Sequence, residues 1–417
     1  MAATDPTIAP ATAFARIGQL AALRRVHEAF GWLHLHEQRI MGWQRELVTV
    51  AAPPFGEGPR AEWLCEKFRE LGLEDVAIDG IGNAIGVYRG EESGRSGRSC
   101  VLLSAHIDTV FPADTPIDPQ LSGTRLAAPG ACDNGAGVVA LLAIAAAMRH
   151  AQIRPACDLI FIGNVGEEGE GNLRGMRHLY EQAPWRERVA AHVVLDGAGH
   201  EVAVTHALGS KRYLVTITGP GGHSWTDAAR PNPVVVLSRA VARLGDLALS
   251  TRPRTTLNVG TMEGGTSVNA IPERATARFD ARSTDAEQLI RLEVEIHRAV
   301  EDAVIEANGE IKNREAKKEH ALQFTIDQIG DRPAGALSEQ TFLFENLRAV
   351  DRHFGIRTEP RIASTDANIP LSLGVPALSL GAGGDGGGIH TRSEWYDARG
   401  RELGLRRILL LLLACAS

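Results

Sequence analysis

The sequence lacks a cysteine framework, an excess of positive charge and any long hydrophobic run. Its five cysteines are odd in number and form no C-x-x-C pair, which argues against a disulfide scaffold and fits a reducing cytoplasm. The formal net charge of −7 argues against nucleic acid as a partner. The apolar stretch of residues 408–416 is shorter than the ~20 residues that span a bilayer. Residues 1–20 show no signal peptide, so we expect a soluble, cytoplasmic protein without a membrane partner.

The length of the chain predicts more than one domain. Its 417 residues exceed what one hydrophobic core normally organises. Hydrophobic residues make up 44% and charged residues 23%, which is ordinary for globular proteins and argues against disorder or a fibrous repeat.

Apolar strands and helices alternate in the first half of the chain. Residues 17–49 carry apolar positions with a helical period, and a second helix is predicted over 59–71. A continuous apolar strand, Cys100–His106, is of the kind buried on both faces of a sheet. An apolar, alanine-rich helix over 137–148 precedes buried strands at 158–163 and 192–196. This order predicts an α/β domain with a mixed, mostly parallel sheet between helices.

Near residue 209 the strands become half-exposed and the order changes. Strands and helices over 211–327 follow a β-α-β-β-α-β order, which is typical of a ferredoxin-like α+β domain. Buried-type strands resume at 357–363 and 377–380. We therefore predict a catalytic domain in two parts, 1–208 and 331–417, with an inserted lid and dimerisation domain over 209–330.

Acidic residues and histidines follow the predicted buried strands. Ligands of open parallel sheets bind beyond the carboxyl ends of the strands, so these side chains should share one edge. His106 and Asp108, two residues apart, should leave the same face. The set consists of His106, Asp108, Asp133, Glu167, Glu168, Asp196 and His390.

These donor types suit a pair of divalent ions. Carboxylates and imidazoles without thiolates favour Zn, Co or Mn. Three carboxylates and two histidines can hold two ions ~3.5–4 Å apart, with one carboxylate shared and a free carboxylate left to take a proton from the water between them. Simpler roles stay open for each residue: Asp133 as a helix N-cap, the glutamates as a solvated turn, and the histidines as packing residues.

The motifs resemble those of the co-catalytic zinc hydrolases, the superfamily of glutamate carboxypeptidase, peptidase T, aminoacylase and acetylornithine deacetylase. The resemblance covers nearly the whole chain and is closest to peptidase-T-like members. It rests on the segments Ser-Ala-His106-Ile-Asp108, Gly-Ala-Cys-Asp133-Asn-Gly, Gly-Glu167-Glu168-Gly, Leu-Asp196-Gly and Gly-Ile-His390.

The resemblance implies a role for each residue of the set. His106 and Asp196 would hold one zinc, Glu168 and His390 the other, and Asp133 would bridge them. Glu167 would be the general base, and Asp108 would accept a hydrogen bond from the His106 ring. The resemblance also implies a cis peptide bond between Asp133 and Asn134.

The inserted domain carries two further segments of this resemblance. They are Gly-Gly-His223-Ser and the stretch around Asn269. In the superfamily a lid histidine, often from the partner subunit of a dimer, stabilises the oxyanion, so His223 is a predicted catalytic residue and Asn269 a predicted substrate contact. His223 could instead only shape a turn. Arg282 or Arg361 could bind a substrate carboxylate.

The resemblance predicts a metal-dependent hydrolase that cleaves an amide bond of a small peptide or an N-acyl amino acid through a metal-bridging hydroxide, as a homodimer. Two alternatives remain open: a non-catalytic binding relative with the same fold, and a metal-dependent hydrolase of another ester class. The absence of a basic cluster near the motifs disfavours phosphate substrates. The sequence does not distinguish an aminopeptidase, a carboxypeptidase and a deacylase.

Overall fold

The computed structural model describes residues 12–92, 99–312 and 321–417. The prediction about a signal peptide concerns residues 1–20, of which residues 1–11 lie outside the described ranges. The chain divides into two compact units, one formed by Met1–His206 with Ala336–Ser417 and the other by Ala207–Gly335. The predicted insert, 209–330, lies within the second unit.

Both units contain helices, whose lengths range from about one turn to more than seven turns. They are α1 (Ala13–Ala21), α2 (Arg24–Leu35), α3 (Glu37–Val48), α4 (Gly58–Glu70), α5 (Gly135–His150), α6 (Arg174–Gln182), α7 (Pro233–Gly245), α8 (Ala286–Lys312), α9 (Phe342–Phe354), α10 (Asn368–Ser372) and α11 (Arg401–Cys415).

The strands range from two to ten residues. They are β1 (Glu74–Ile78), β2 (Ala84–Tyr88), β3 (Cys100–His106), β4 (Gln120–Ser122), β5 (Arg125–Ala127), β6 (Asp158–Asn164), β7 (Val189–Leu195), β8 (Val202–Ala207), β9 (Gly209–Thr218), β10 (Gly222–His223), β11 (Thr255–Gly264), β12 (Ala270–Ile271), β13 (Arg274–Ser283), β14 (Gln323–Arg332), β15 (Gly335–Ala336), β16 (Glu359–Ala363), β17 (Ala377–Leu380), β18 (Asp385–Gly387) and β19 (Trp395–Asp397).

The large sheet of the first unit contains the strand order β1-β2-β6-β3-β7-β17-β8, and β16 also pairs with β8. Its centre is parallel, since β3 pairs in parallel with β6 and β7, and β17 with β7. The pairs β1·β2, β2·β6 and β17·β8 are antiparallel. The prediction of a mixed, mostly parallel sheet is confirmed. Every residue of β3 is buried, as its unbroken apolar sequence predicts.

Helix α5 packs against the parallel centre of this sheet. Its sequence is apolar nearly throughout, and residues 135–148 are all buried. The helix begins after Asn134, whose side chain accepts a hydrogen bond from the Gly137 N–H at 3.0 Å and so caps the first turn. Asn134 thereby fixes the backbone directly after Asp133.

A smaller sheet of the first unit has the order β18-β19-β5-β4. Its strands are three residues long, and its ladders are antiparallel. The pairing of β19 with β5 brings together segments that lie far apart in the sequence, and these segments lead to His390 and Asp133.

The second unit is an α+β domain. Its antiparallel sheet has the order β11-β13-β9-β14, and residues of β13 alternate between buried and more exposed positions. A continuous core joins this sheet to α7 and α8 through residues such as Val215, Leu237, Phe279 and Val300. The predicted ferredoxin-like insert is confirmed in this arrangement.

Some predicted elements differ from the observed ones. The helical period over 17–49 is divided into α1, α2 and α3, because the chain turns at Leu23 and His36. The strand predicted as buried at 357–363 is β16, which is mostly exposed because it pairs only with β8 among the described strands. No helix in the described ranges is long and apolar enough to cross a membrane. All five cysteines are free.

Candidate metal centre

Four of the predicted site residues lie at or just after the carboxyl ends of the parallel strands at the centre of the large sheet. His106 is the last residue of β3, Glu167 and Glu168 follow β6, and Asp196 is the first residue after β7. Because β3 pairs in parallel with both neighbours, these carboxyl ends meet at the same edge.

Asp133 and His390 reach this edge from the loops beside the small sheet. Asp133 lies between β5 and α5, and His390 lies between β18 and β19. His390 has a positive φ of 63°, a backbone conformation that few residues with a side chain adopt. The peptide bond between Asp133 and Asn134 is cis, as the resemblance implies.

The two carboxylate oxygens of Asp133 face two different histidines. Its Oδ1 lies 3.0 Å from His106 Nε2, and its Oδ2 lies 3.1 Å from His390 Nε2. His106 Nε2 is also 3.9 Å from Asp196 Oδ1, and His390 Nε2 is 3.0 Å from Glu168 Oε1. The donors therefore form two triads that share Asp133, and within each triad all ligand atoms lie within 4.8 Å of one another.

Glu167 belongs to a third group of possible ligands, with His106 and Glu168, and to neither triad that contains Asp133. Its carboxylate is within 4.8 Å of donor atoms of His106 and Glu168, and the residue is buried. Its backbone N–H donates to Asp108 Oδ1 at 3.1 Å, and the Glu168 N–H donates to Asp108 Oδ2 at 2.8 Å. Asp108 thus fixes the backbone that carries both glutamates.

Asp108 also contacts the ring of His106, mainly through its backbone. His106 Nδ1 lies 3.1 Å from the Asp108 carbonyl oxygen and 3.6 Å from its Oδ1. Either contact leaves Nε2 free to face the carboxylates of the site. The sequence did not predict the other role of Asp108, which is to accept hydrogen bonds from the backbone N–H groups of the two glutamates.

The charges of the site fit divalent cations. Burial disfavours charge on His106, but Asp108, Asp133 and Asp196 outweigh it and raise its pKa well above the usual range. The hydrogen bond with Asp133 is the main reason why the pKa of His390 rises to about 9. Burial opposes ionisation of Asp133, yet both histidines lower its pKa. The clustered carboxylates therefore favour positive charge, and the donor set contains carboxylates and imidazoles, which bind divalent metal ions.

Asn134 links the Asp133 turn to the segment of Asp196. Its Oδ1 accepts a hydrogen bond from the Gly197 N–H at 3.1 Å, and its Nδ2 donates to the Leu195 carbonyl at 2.8 Å. The amide therefore ties two ligand-bearing segments together. The position of an asparagine at a predicted helix start was the only sign of this role in the sequence.

Asp366 is a further buried acid of the first unit that sequence analysis missed. Its Oδ2 accepts a hydrogen bond from Asn164 Nδ2 at 2.7 Å, and burial raises its pKa to about 7. The Asn164 carbonyl in turn accepts from the Ile107 N–H at 2.8 Å, next to His106. Asp366 lies just before the short helix α10, where nothing in the sequence distinguishes it from a capping residue.

The predicted lid residues belong to the second unit. His223 on β10 pairs with Ala270 on β12, and the Ser224 N–H donates to the Asn269 carbonyl at 3.0 Å, so His223 and Asn269 lie close together. The His223 ring is exposed, and its Nδ1 accepts from the Trp225 N–H at 3.1 Å. Their roles stay predictions.

The predicted carboxylate-binding arginines belong to different units, Arg282 to the second and Arg361 to the first. Arg282 lies near the C-terminal end of the ten-residue strand β13, whereas β12 precedes the N-terminal end of that strand. Its Nε donates to Asp280 Oδ2 at 2.7 Å. Arg361 lies on exposed β16, 3.7 Å from Glu359 Oε2. Each guanidinium already has a carboxylate neighbour, and its role in substrate binding stays a prediction.

Comparison with solved structures supports this fold. An aminopeptidase PepT from Bacillus cereus superposes with a TM-score of 0.72 at 20% identity, covering 91% of this chain and 99% of that chain. A tripeptidase from Staphylococcus aureus also gives a TM-score of 0.72, at 22% identity, covering 91% of this chain and 98% of its own. At these identities the likeness concerns the fold.

Comparison of sequences gives the family. A probable carboxypeptidase of Aspergillus clavatus is 27% identical over 265 residues, which is 58% of this chain and 57% of that relative. The match thus spans little more than half the length of this relative. The sequence profile of peptidase family M20/M25/M40 matches residues 102–414, which include every residue of the two triads. With this match over most of its length, the chain belongs to peptidase family M20/M25/M40.

Proposed function

We propose that the protein is a metal-dependent hydrolase that cleaves an amide bond, either in a small peptide, as an exopeptidase, or in an N-acyl amino acid, as a deacylase. The observation that carries the proposal is the carboxylate of Asp133, whose two oxygens face His106 and His390 at 3.0 and 3.1 Å. A carboxylate shared between two triads can bridge a pair of ions held close together.

Each triad would hold one of the two ions. His106 and Asp196 would hold one ion, Glu168 and His390 the other, and Asp133 would bind both. When bound, two zinc ions, or cobalt or manganese, would polarise the scissile carbonyl and acidify a water molecule between them. The absence of a cysteine from either triad favours these metals over copper or an iron–sulfur cluster.

The proton transfers are assigned to Glu167. Glu167 is buried, and its carboxylate lies within 4.8 Å of donor atoms of His106 and Glu168, which supports a role in proton transfer beside the ions. We infer that it takes the proton of the attacking water and passes it to the leaving amine. Asp108 holds the Glu167 backbone in place, and His223 of the lid would stabilise the oxyanion.

The names of the similar proteins support a small peptide as substrate. The two superposed structures are described as an aminopeptidase and a tripeptidase, and the Aspergillus relative as a probable carboxypeptidase. These descriptions share a peptide substrate, the tripeptidase a short one, and the other two name different termini. We therefore assign the reaction to amide hydrolysis near a chain end.

Two further properties complete the proposal. The edge strand β11 of the second unit is largely exposed, so it offers unpaired backbone groups to a second copy of the chain, and we infer a homodimer through this domain. Sedimentation at the mass of one 44.7 kDa chain would contradict it. We also infer a cytoplasmic location from the five free cysteines, and enrichment in an extracytoplasmic fraction would contradict this.

The decisive experiment combines a substrate panel with two variants. Zinc- or cobalt-loaded protein is assayed on di- and tripeptides, N-acetyl amino acids and C-terminal glutamate conjugates, with phosphate esters as a separate class. In Glu167→Gln, turnover should fall by ~10² or more while both ions stay bound, because a proton carrier is lost and no ligand is removed. In Asp133→Ala both ions should be released, because both triads lose a member.

For each expected result, the opposite outcome would change the proposal. Loss of metal from Glu167→Gln would reassign Glu167 as a ligand, and two ions retained by Asp133→Ala would contradict the bridge. Hydrolysis of phosphate esters alone would change the reaction class. No hydrolysis across the panel by protein that holds two ions would favour a non-catalytic binding protein.

A further inference from the structure

The segments that carry Asp133 and His390 are joined by an antiparallel ladder. Trp395 of β19 pairs with Ala127 of β5, and the pairing continues where the Ala128 N–H donates to the Glu394 carbonyl at 3.0 Å. Glu394 is therefore fixed in register beside the start of the Asp133 turn.

The carboxylate of Glu394 accepts hydrogen bonds from the backbone of that turn. Oε2 accepts from the Gly130 N–H at 2.8 Å, and Oε1 accepts from the N–H groups of Cys132 and Asp133, both at 2.7 Å. Glu394 is 1% exposed. A carboxylate buried this deeply needs such bonds, and bonds to a charged acceptor are strong. The side chain thus fixes three peptide groups in the four residues that end at Asp133.

A second contact holds the opposite side of the same turn. Gln44 of α3 donates through its Nε2 to the Ala131 carbonyl at 2.6 Å, and the Gly135 N–H donates to the Gly130 carbonyl at 3.0 Å. Glu394 is the charged member of this support, and it accepts from the N–H of Asp133 itself.

Glu394 also closes the turn that presents His390. The Thr391 N–H donates to the Gly388 carbonyl at 3.0 Å, and the Glu394 N–H donates to the Thr391 carbonyl at 3.1 Å. The backbone of Glu394 is thus part of the His390 turn, while its side chain is bonded to the Asp133 turn. The 3.1 Å separation of Asp133 Oδ2 and His390 Nε2 depends on both turns.

We propose that Glu394 is a positioning residue that couples the His390 loop to the Asp133 turn and so sets the affinity of the centre for divalent ions. The inference rests on the metal centre proposed above. Groups that orient metal ligands from outside the ligand set typically change metal affinity by about 10- to 100-fold when they are replaced.

The test is a metal titration of Glu394→Gln, measured by competition with a chelator and by metal analysis. The amide keeps the shape of the side chain, but one oxygen becomes an NH₂ group, so at least one backbone N–H of the turn loses its acceptor. We expect affinity for Zn²⁺ or Co²⁺ to fall by about 10- to 100-fold, with two ions bound at saturation. Activity lost at limiting metal should return when metal is in excess.

A matched control separates positioning from general stability. Asp351 is also a buried carboxylate, paired with Arg407 Nε at 2.6 Å, and it belongs to neither triad. Asp351→Asn should lower the melting temperature and leave metal affinity unchanged. If Glu394→Gln does not fold, Glu394→Asp is titrated instead, because it keeps the charge but is too short to reach all three N–H groups.

The outcomes distinguish this inference from the proposed function. Wild-type protein that binds no divalent ion would contradict the metal centre itself. Wild-type protein with two ions, and a Glu394 variant of equal affinity, would overturn only the role of Glu394. An activity loss that excess metal does not restore in a folded, fully loaded variant would also overturn it.

Discussion

His192 is a buried histidine on β7 that the proposed chemistry does not use. Its ring forms hydrogen bonds with the Tyr180 hydroxyl at 2.9 Å and the Ser104 hydroxyl at 2.8 Å, and the residue is fully buried. Burial lowers its pKa from the ordinary 6.5 to about 3. The neutral ring therefore fits the folded protein, whereas the unfolded chain takes up a proton near pH 6.5.

This difference makes His192 a source of acid sensitivity. Because the folded-state pKa is depressed, the unfolded state binds more protons between pH 6.5 and 3, so stability is complete above pH 6.5 and falls as the pH decreases. Between pH 7 and pH 5 the loss should be about 2 kcal/mol from this residue. Urea unfolding of chelator-treated protein at both pH values should show it, and His192→Gln should lack that part of the pH dependence. An unchanged pH dependence in the variant would contradict the assignment.

Single residues could be predicted where their type and their place at a strand end coincided. His106 and Asp196 follow continuous apolar strands, and both lie at the shared edge. Glu394 could not be found in this way, because it stands in a polar loop and its role depends on N–H groups that lie about 260 positions earlier. Contacts so distant in sequence leave no local pattern.

At the scale of elements, helix α11 is held tightly against the loop that leads to β18. A Cβ added at Gly404 would lie 2.4 Å from Gly383 Cα and 2.5 Å from its N, which is closer than atoms can approach. Gly404→Ala should therefore destabilise the protein by about 1–3 kcal/mol through overpacking.

A glycine in another helix provides the control. Gly42 of α3 is exposed, and a Cβ there would meet nothing within 4 Å. Gly42→Ala should stabilise the protein by about 0.5–1 kcal/mol, because alanine loses less conformational freedom in a helix. Thermal or urea unfolding of both variants tests the pair. Effects of the same sign would show that helix propensity, and not the contact with Gly383, controls Gly404.

Elements with a continuous apolar sequence could be predicted, but the three-residue strands could not. The buried strands β3 and β17 and the helix α5 have apolar sequences that depend little on their neighbours. The three-residue strands β5 and β19 are defined by their pairing with each other, which brings together residues about 270 positions apart. A segment of that length carries too few residues to show a period.

At the scale of the whole molecule, each unit has a hydrophobic core of its own. The first unit contains a core around Leu102, Ile160 and Met176, and the second a core around Tyr213, Leu237 and Val300. All members of both metal triads belong to the first unit. Bound ions should therefore stabilise the first unit directly, because a ligand stabilises the state that binds it.

The distribution of tryptophan allows this difference to be measured. Five of the six tryptophans belong to the first unit, and the sixth, Trp225, is 84% exposed in the second. In Trp225→Phe, tryptophan fluorescence therefore reports unfolding of the first unit alone. The comparison starts from protein in free metal at a hundred times the dissociation constant of the metal. Removing the metal should lower the midpoint temperature of that transition by about 5–10 °C.

Calorimetry of the same variant records both units. We expect the transition of the second unit to stay in place when metal is removed, since its core contains no residue of either triad. The Asp133→Ala version of this protein should show no shift on chelation, because its ions are already lost. If the calorimetric trace instead moves as one transition with the fluorescence, the two cores unfold cooperatively, and the stabilisation by metal extends to the whole chain.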